Sequence, residues 1–195
     1  MPIDLIINHC SPTLAGLKTG NMFSVEFETN EEMVEELRKI NKVLLPKGLK
    51  AIPLRKTSGR VLIYIYRPDY LSRDLEHPYA VETLKSKGYA TENMYKCLAQ
   101  LARRVNSDEK FPHEIGFFLG YPPEDVCAFI KDANSEGGCH CAKCTGHWKV
   151  YGDREAAEKK FAKYKTCTKV YKNEINKGRP LEQLIVDSKR AAHRM

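Results

Sequence analysis

No apolar run in the chain approaches the ~20 residues that a membrane-crossing helix requires, and no basic leader precedes the short apolar stretch of MPIDLIINHC. The first absence argues against a membrane partner and the second against secretion, so the cytoplasm is the expected compartment. Internal repeats and low-complexity tracts are also missing, and a single domain over residues 1–195 is expected. Several familiar templates fail on spacing. A phosphatase loop, C-x5-R, starting at Cys10 would need arginine where Gly16 stands. A Walker loop needs Gly-Lys-Ser/Thr, and GLKT carries an extra residue. The zinc-protease helix H-E-x-x-H breaks at Phe117, and haem attachment, C-x-x-C-H, breaks at Thr145.

Cysteine, by contrast, is plentiful. The seven residues, an odd number, read in a reducing compartment as thiols, metal ligands or redox centres rather than as a disulfide framework. Three crowd into GGCHCAKCTGHW: Cys139, Cys141 and Cys144 have C-x-C-x-x-C spacing, with His140 and His147 within reach. Thiolate and imidazole suit zinc, an iron–sulfur cluster or copper(I), and a C-x-x-C knuckle lets two sulfurs approach one tetrahedral ion. A closed zinc site needs a fourth ligand, for which His147, Cys167 and Cys10 are candidates, and a cluster would use similar positions. A second C-x-x-C, the mark of a zinc ribbon, is absent. The competing reading is a loop of reduced thiols that Trp148 and Tyr151 pack onto the following helix.

Cys10 raises a separate possibility. It follows the apolar run Ile3–Ile7, read as a strand, and precedes Pro12, read as the first residue of a helix. A thiol at such a strand-to-helix turn lies near unpaired N–H groups that favour the thiolate, and Lys18 is placed to assist it. This pattern makes Cys10 a candidate nucleophile with Lys18 or His113 as partner. A buried structural cysteine is the alternative. Cys97 and Cys127 fall beside apolar stripes and are expected in the core.

The net charge of +7 lies entirely in the last part of the chain: Arg154 onward holds 12 Lys/Arg against 5 Asp/Glu, whereas the first 153 residues balance at 20 of each. Such a segment fits nucleic acid or an acidic partner, or else a solvated helix face.

The periodicities predict an α+β fold: a small mixed sheet with helices over about 1–75, then a mostly helical lobe over about 76–195. Phe23, Val25 and Phe27 alternate as a half-buried strand. Thr29 and Glu32 have capping-box spacing ahead of Met33, Leu37, Ile40 and Leu44. LKAIPL and RVLIYIY flank KTSG as a hairpin, with Pro53 confining its strand to an edge. Helices are expected over HPYAVETLKSKG, from Thr91 to Val105, from Pro112 through HEIGFFLG, and over EDVCAFIKDA. A long one should run from Asp153 to about Asn176, and a last one from Pro180 to Ala192.

Three stretches, HCSPTLAGLKTGNMFS (His9–Ser24), HEIGFFLGYPPEDV (His113–Val126) and HWKVYGD with FAKYKTCTKVY, together resemble a family of bacterial proteins classed as a domain of unknown function. The resemblance implies membership and carries no activity, cofactor or catalytic residue with it. The residues themselves favour a cytoplasmic metal-binding (zinc or iron–sulfur) or thiol-redox protein. The alternatives are a binding module acting through the basic C-terminal helices and a small-molecule enzyme with Cys10 as nucleophile.

Overall fold

The computed structural model describes residues 1–57, 59–107, 111–135 and 141–188. In chain order they form α1 (Ile3–Leu14), β1 (Gly20–Glu26), α2 (Asn30–Leu44), a 3-10 turn (Leu45–Lys47), β2 (Lys50–Thr57), β3 (Arg60–Tyr66), α3 (Pro68–Leu75), α4 (Pro78–Ser86), α5 (Met94–Val105), α6 (Ile115–Phe118), α7 (Pro123–Asn134), β4 (Cys144–Thr145), β5 (Lys149–Val150), α8 (Arg154–Asn176) and α9 (Leu181–Leu184). The α+β class is as expected. Two compact units divide the chain: Met1–Leu71 with the segment from Thr166 onward, and Ser72–Lys165.

The first unit corrects the reading of the N-terminus. Ile3–Ile7 opens α1 instead of forming a strand. Five apolar residues cannot by themselves distinguish strand from helix. Extended to Leu14, however, the buried positions Ile6, Ile7, Cys10 and Leu14 recur at helical spacing. Pro12, expected to start a helix, lies inside this one, near its end. The helix stops in a Schellman arrangement, with Leu17 N–H donating to the Pro12 carbonyl at 2.8 Å and Gly16 N–H to that of Thr13 at 3.1 Å. Gly16 supplies the left-handed conformation this requires, at φ 74°.

Because α1 replaces the first strand, the sheet is antiparallel throughout, in the order β1–β3–β2. Pro53 lies on edge strand β2, next to a register shift between Pro53 and Arg55, as its missing N–H demands. Thr29 caps α2 by accepting from Glu32 N–H at 3.1 Å, and Glu32 reaches back to Glu28 N–H at 2.8 Å. Val61, Ile63 and Ile65 of central strand β3 join Ile6, Leu14, Leu44 and the later residues Tyr171, Leu181 and Leu184 in one core.

Arg67 fastens this unit. Its fully buried guanidinium donates to the Thr13 and Leu14 carbonyls at the end of α1 (2.8 Å each), to the Val186 carbonyl (2.7 Å) and to Ser188 Oγ (2.9 Å). Of the predicted helix from Pro180 to Ala192, the described residues are helical over Leu181–Leu184 and at Ser188, with a non-helical break over 185–187. Val186 and Ser188 are held by Arg67, and 189–192 fall outside the described residues.

The second unit is mainly helical, as expected. Asn93 rather than Thr91 caps α5, accepting from Lys96 N–H at 3.0 Å. Among the described residues no helix is long and apolar enough to cross a membrane.

Candidate functional site

Two of the three stretches that carry the family resemblance meet within the Ser72–Lys165 unit. HWKVYGD forms the turn and second strand of a hairpin, with Cys144 opposite Val150 and Thr145 opposite Lys149. The turn Gly146–Trp148 is tight, with Gly146 N–H donating to the Trp148 carbonyl at 3.0 Å. A Cβ at Gly146 would lie 2.3 Å from the Phe161 ring, so only glycine admits this approach. Trp148 is thereby turned inward, 8% exposed, its ring 4.5 Å from Phe161 and 5.1 Å from Tyr121.

The PPEDV segment holds the hairpin from the other side. Asp125, buried in the first turn of α7, accepts from Trp148 Nε1 (2.7 Å), Tyr151 N–H (2.8 Å) and Gly152 N–H (2.7 Å). Three donors on one carboxylate compensate its burial. Two turns further along the same face of α7, Asp132 accepts from the Tyr151 hydroxyl at 2.8 Å. Glu114 plays a comparable part in HEIGFF. It occupies the N-cap position of α6, but its buried carboxylate makes no capping hydrogen bond. It accepts from the Tyr89 hydroxyl at 3.0 Å and lies near Lys87 (3.4 Å) and Arg104 (3.9 Å). Burial, then Glu114, raise the Tyr89 hydroxyl's pKa well above its ordinary value.

Between these anchors is a cavity of about 390 Å³. Its walls are mainly rings and aliphatic groups: Phe111, Ile115, Tyr121, Val126, Phe129 and Trp148. Polar groups are few. His113 meets the Phe129 ring edge-on at 4.9 Å, and the Lys149 ammonium is 5.4 Å from the centre of the same ring. Burial, with a contribution from Tyr164, pushes the Tyr121 hydroxyl up to about 12, so it is a neutral wall residue at pH 7. Asp125 borders the cavity with its carboxylate already engaged.

The residues expected to act are placed as follows. Cys139 and His140 lie outside the described residues. Cys141 is exposed, and Cys144 is half-buried on β4, next to Thr145 and Gly146 of the cavity wall. His147 is exposed with its ring against Phe161 (5.6 Å) and Tyr164 (5.1 Å). Cys167 belongs to the other unit, packed against its core, and burial pushes its thiol up to about 11. Among the described residues no three His, Cys, Asp or Glu side chains come together as a metal-binding group.

Cys10 occupies the interior of α1, 0% exposed, and not the expected strand-to-helix turn. Burial pushes its thiol up to about 12, against the opposing pull of Lys18. Lys18 is itself 5% exposed, donates to Asn21 Oδ1 and is lowered to about 7, mainly by desolvation. The two are thus close enough to interact, as the sequence suggested, but the thiolate is disfavoured where the sequence reading favoured it. Cys97 is fully buried as expected, and Cys127 is half-buried, 3.4 Å from the Thr83 hydroxyl.

Sequence reasoning missed the cavity, and with it Asp125, Phe129 and Tyr121. Trp148 was read only as packing. The one available signal was the concentration of aromatic residues inside the motif stretches.

The fold and this cavity define an α+β protein with a preformed, aromatic-walled space of small-ligand size. The chain belongs to DUF3793, a family of proteins of unknown function, whose pattern matches residues 6–185. No curated protein and no solved structure matches it.

Proposed function

We propose that the protein binds a small, flat, largely apolar molecule in the cavity walled by Phe111, Tyr121, Phe129 and Trp148. The observation carrying this reading is the cavity itself: about 390 Å³, aromatic, with few polar groups at its edge. Preformed apolar clefts with a few convergent polar groups are where small ligands bind. Trp148, the sole tryptophan of the chain, makes the test direct. Titration with indole, quinoline and 2-naphthoate should change its emission saturably for at least one of them. Gly146→Leu, which drives a side chain toward the Phe161 ring, should abolish that response. A response that is absent for all three, or unaltered by the variant, would sink the proposal.

The C-x-C-x-x-C spacing supports a second reading beside it. Cys139, Cys141 and Cys144, with His147 as the fourth ligand, would hold zinc or an iron–sulfur centre. Anaerobic purification with elemental analysis decides it: one zinc per chain, or iron with sulfide and a visible absorption band, against neither. The Cys10 reading rests on the proximity of Lys18, and requires that iodoacetamide modify Cys10 faster than Cys97.

A further inference from the structure

A second cavity in the Ser72–Lys165 unit, about 330 Å³, has the opposite character from the first. Three nitrogen-bearing side chains from three separate elements converge on it: Arg73 of α3, His77 at the start of α4 and Lys160 of α8. Its floor is Phe117 and the Gly120–Pro123 turn. The only carboxylate among its described walls is Asp74. Two permanent cations against one anion leave the cavity net positive.

The chemistry of the three groups is complementary. Guanidinium presents paired donors in a fork that matches an oxyanion, whereas the lysine ammonium is a mobile point charge. His77 accepts the Tyr79 N–H at 3.3 Å through Nδ1, which puts its proton on Nε2 and makes that nitrogen a donor. Lys160 has no carboxylate within ion-pair distance among the described residues, whereas its neighbour Lys159 is paired with Glu155 at 2.6 Å. The helix dipole of α7 adds little, because Glu124 and Asp125 already occupy its first turn.

We propose that this cavity binds the oxyanion of a small ligand, a phosphoryl or carboxylate group held between Arg73, His77 and Lys160. Tyr121 lines both this cavity and the aromatic one. In a form that rests on the aromatic-cavity reading, the natural ligand is therefore a flat ring system bearing an oxyanion. The site itself does not depend on that reading.

The test is an NMR titration with inorganic phosphate at constant ionic strength, chloride compensating. Saturable shifts are expected at Arg73, His77 and Gly120. Arg73→Gln and Lys160→Gln should each weaken binding by about fivefold or more, as loss of one charge-assisted bond implies. Lys169→Gln, an exposed lysine on the same helix, should leave it unchanged, and Asp74→Asn should tighten it. All the altered side chains except Asp74 are exposed, so folding should survive, and thermal melts check it. Should Arg73→Gln unfold, Lys160→Gln alone decides. Shifts that grow linearly with phosphate, or that Lys169→Gln weakens equally, would overturn the site. Phenyl phosphate against benzoate then assigns the group as phosphoryl or carboxylate. Phosphate binding without any Trp148 response to the flat probes would remove the aromatic reading and keep this one. The converse result would do the reverse.

Discussion

Lys18 and Cys10 share a buried environment that favours the neutral form of each, with consequences for stability. The Lys18 ammonium, ordinarily near 10.5, is lowered to about 7, and the Cys10 thiol, ordinarily near 9, is raised to about 12. A depressed lysine contributes stability that is present above its unfolded value and is lost as the pH falls toward 7. A raised thiol contributes stability that is present below pH 9 and is lost as the pH climbs toward 12. The unfolding free energy should therefore rise from pH 7 to 9 by about 1.4 kcal/mol per unit. It should level where the two oppose each other and then fall, the more so as the raised Tyr121 and Tyr164 hydroxyls join in. Urea unfolding across this range measures it. Lys18→Met should remove the rise while keeping the fall, and an unchanged rise would mean the lysine is solvated.

Among the elements, the β4–β5 hairpin is too short to hold itself. It pairs two residues with two, and isolated hairpins even of ordinary length are marginal in water. Its position rests on α7, through Asp125 and Asp132. Asp125→Asn keeps the shape but offers one acceptor oxygen to three donors, and turns an amide N–H₂ toward them. A loss of about 2–4 kcal/mol is expected, the cost of stranding buried donors, together with a red shift of Trp148 emission as the ring loosens. An emission spectrum and melting temperature like those of the parent protein would show that the hairpin is held by packing alone. The elements differ in legibility for the same reason. α2 was readable because its cap and its stripe are both local. Likewise β2 and β3 announced themselves by alternation around a turn. α1 was misread because its first five residues are apolar without a period, and the stripe that settles the question runs on to Leu14. Asp125 resembled any acid in a first helical turn, since its partners are 23 to 27 residues away.

For the whole molecule, the decisive feature is that the first unit is built from both ends of the chain. Tyr171, Leu181, Leu184 and Ile185 complete a core begun by α1 and the sheet, so that core closes only once residues 171–185 have been made. Arg67 is the tie, joining the end of α1 to Val186 and Ser188. Arg67→Lys retains the charge but not the fork that reaches four acceptors. It should cost about 2–3 kcal/mol, because carbonyls at the helix end lose their partner. Faster proteolysis near residues 185–188 should accompany that loss. If limited proteolysis and melts are unaffected, the segment is held by Leu181 and Leu184 instead.

The sequence by itself determined the α+β class, the positions of most elements, the edge placement of β2 and the family resemblance. All of these follow from local periodicity, capping chemistry and composition, which act over a few residues. Only the tertiary structure decided that Cys10 is a core thiol and that Gly146 turns Trp148 onto Phe161. It alone brought Arg73, His77 and Lys160 to one cavity. Burial and convergence depend on residues far apart in the chain, and no local pattern records which of them will meet.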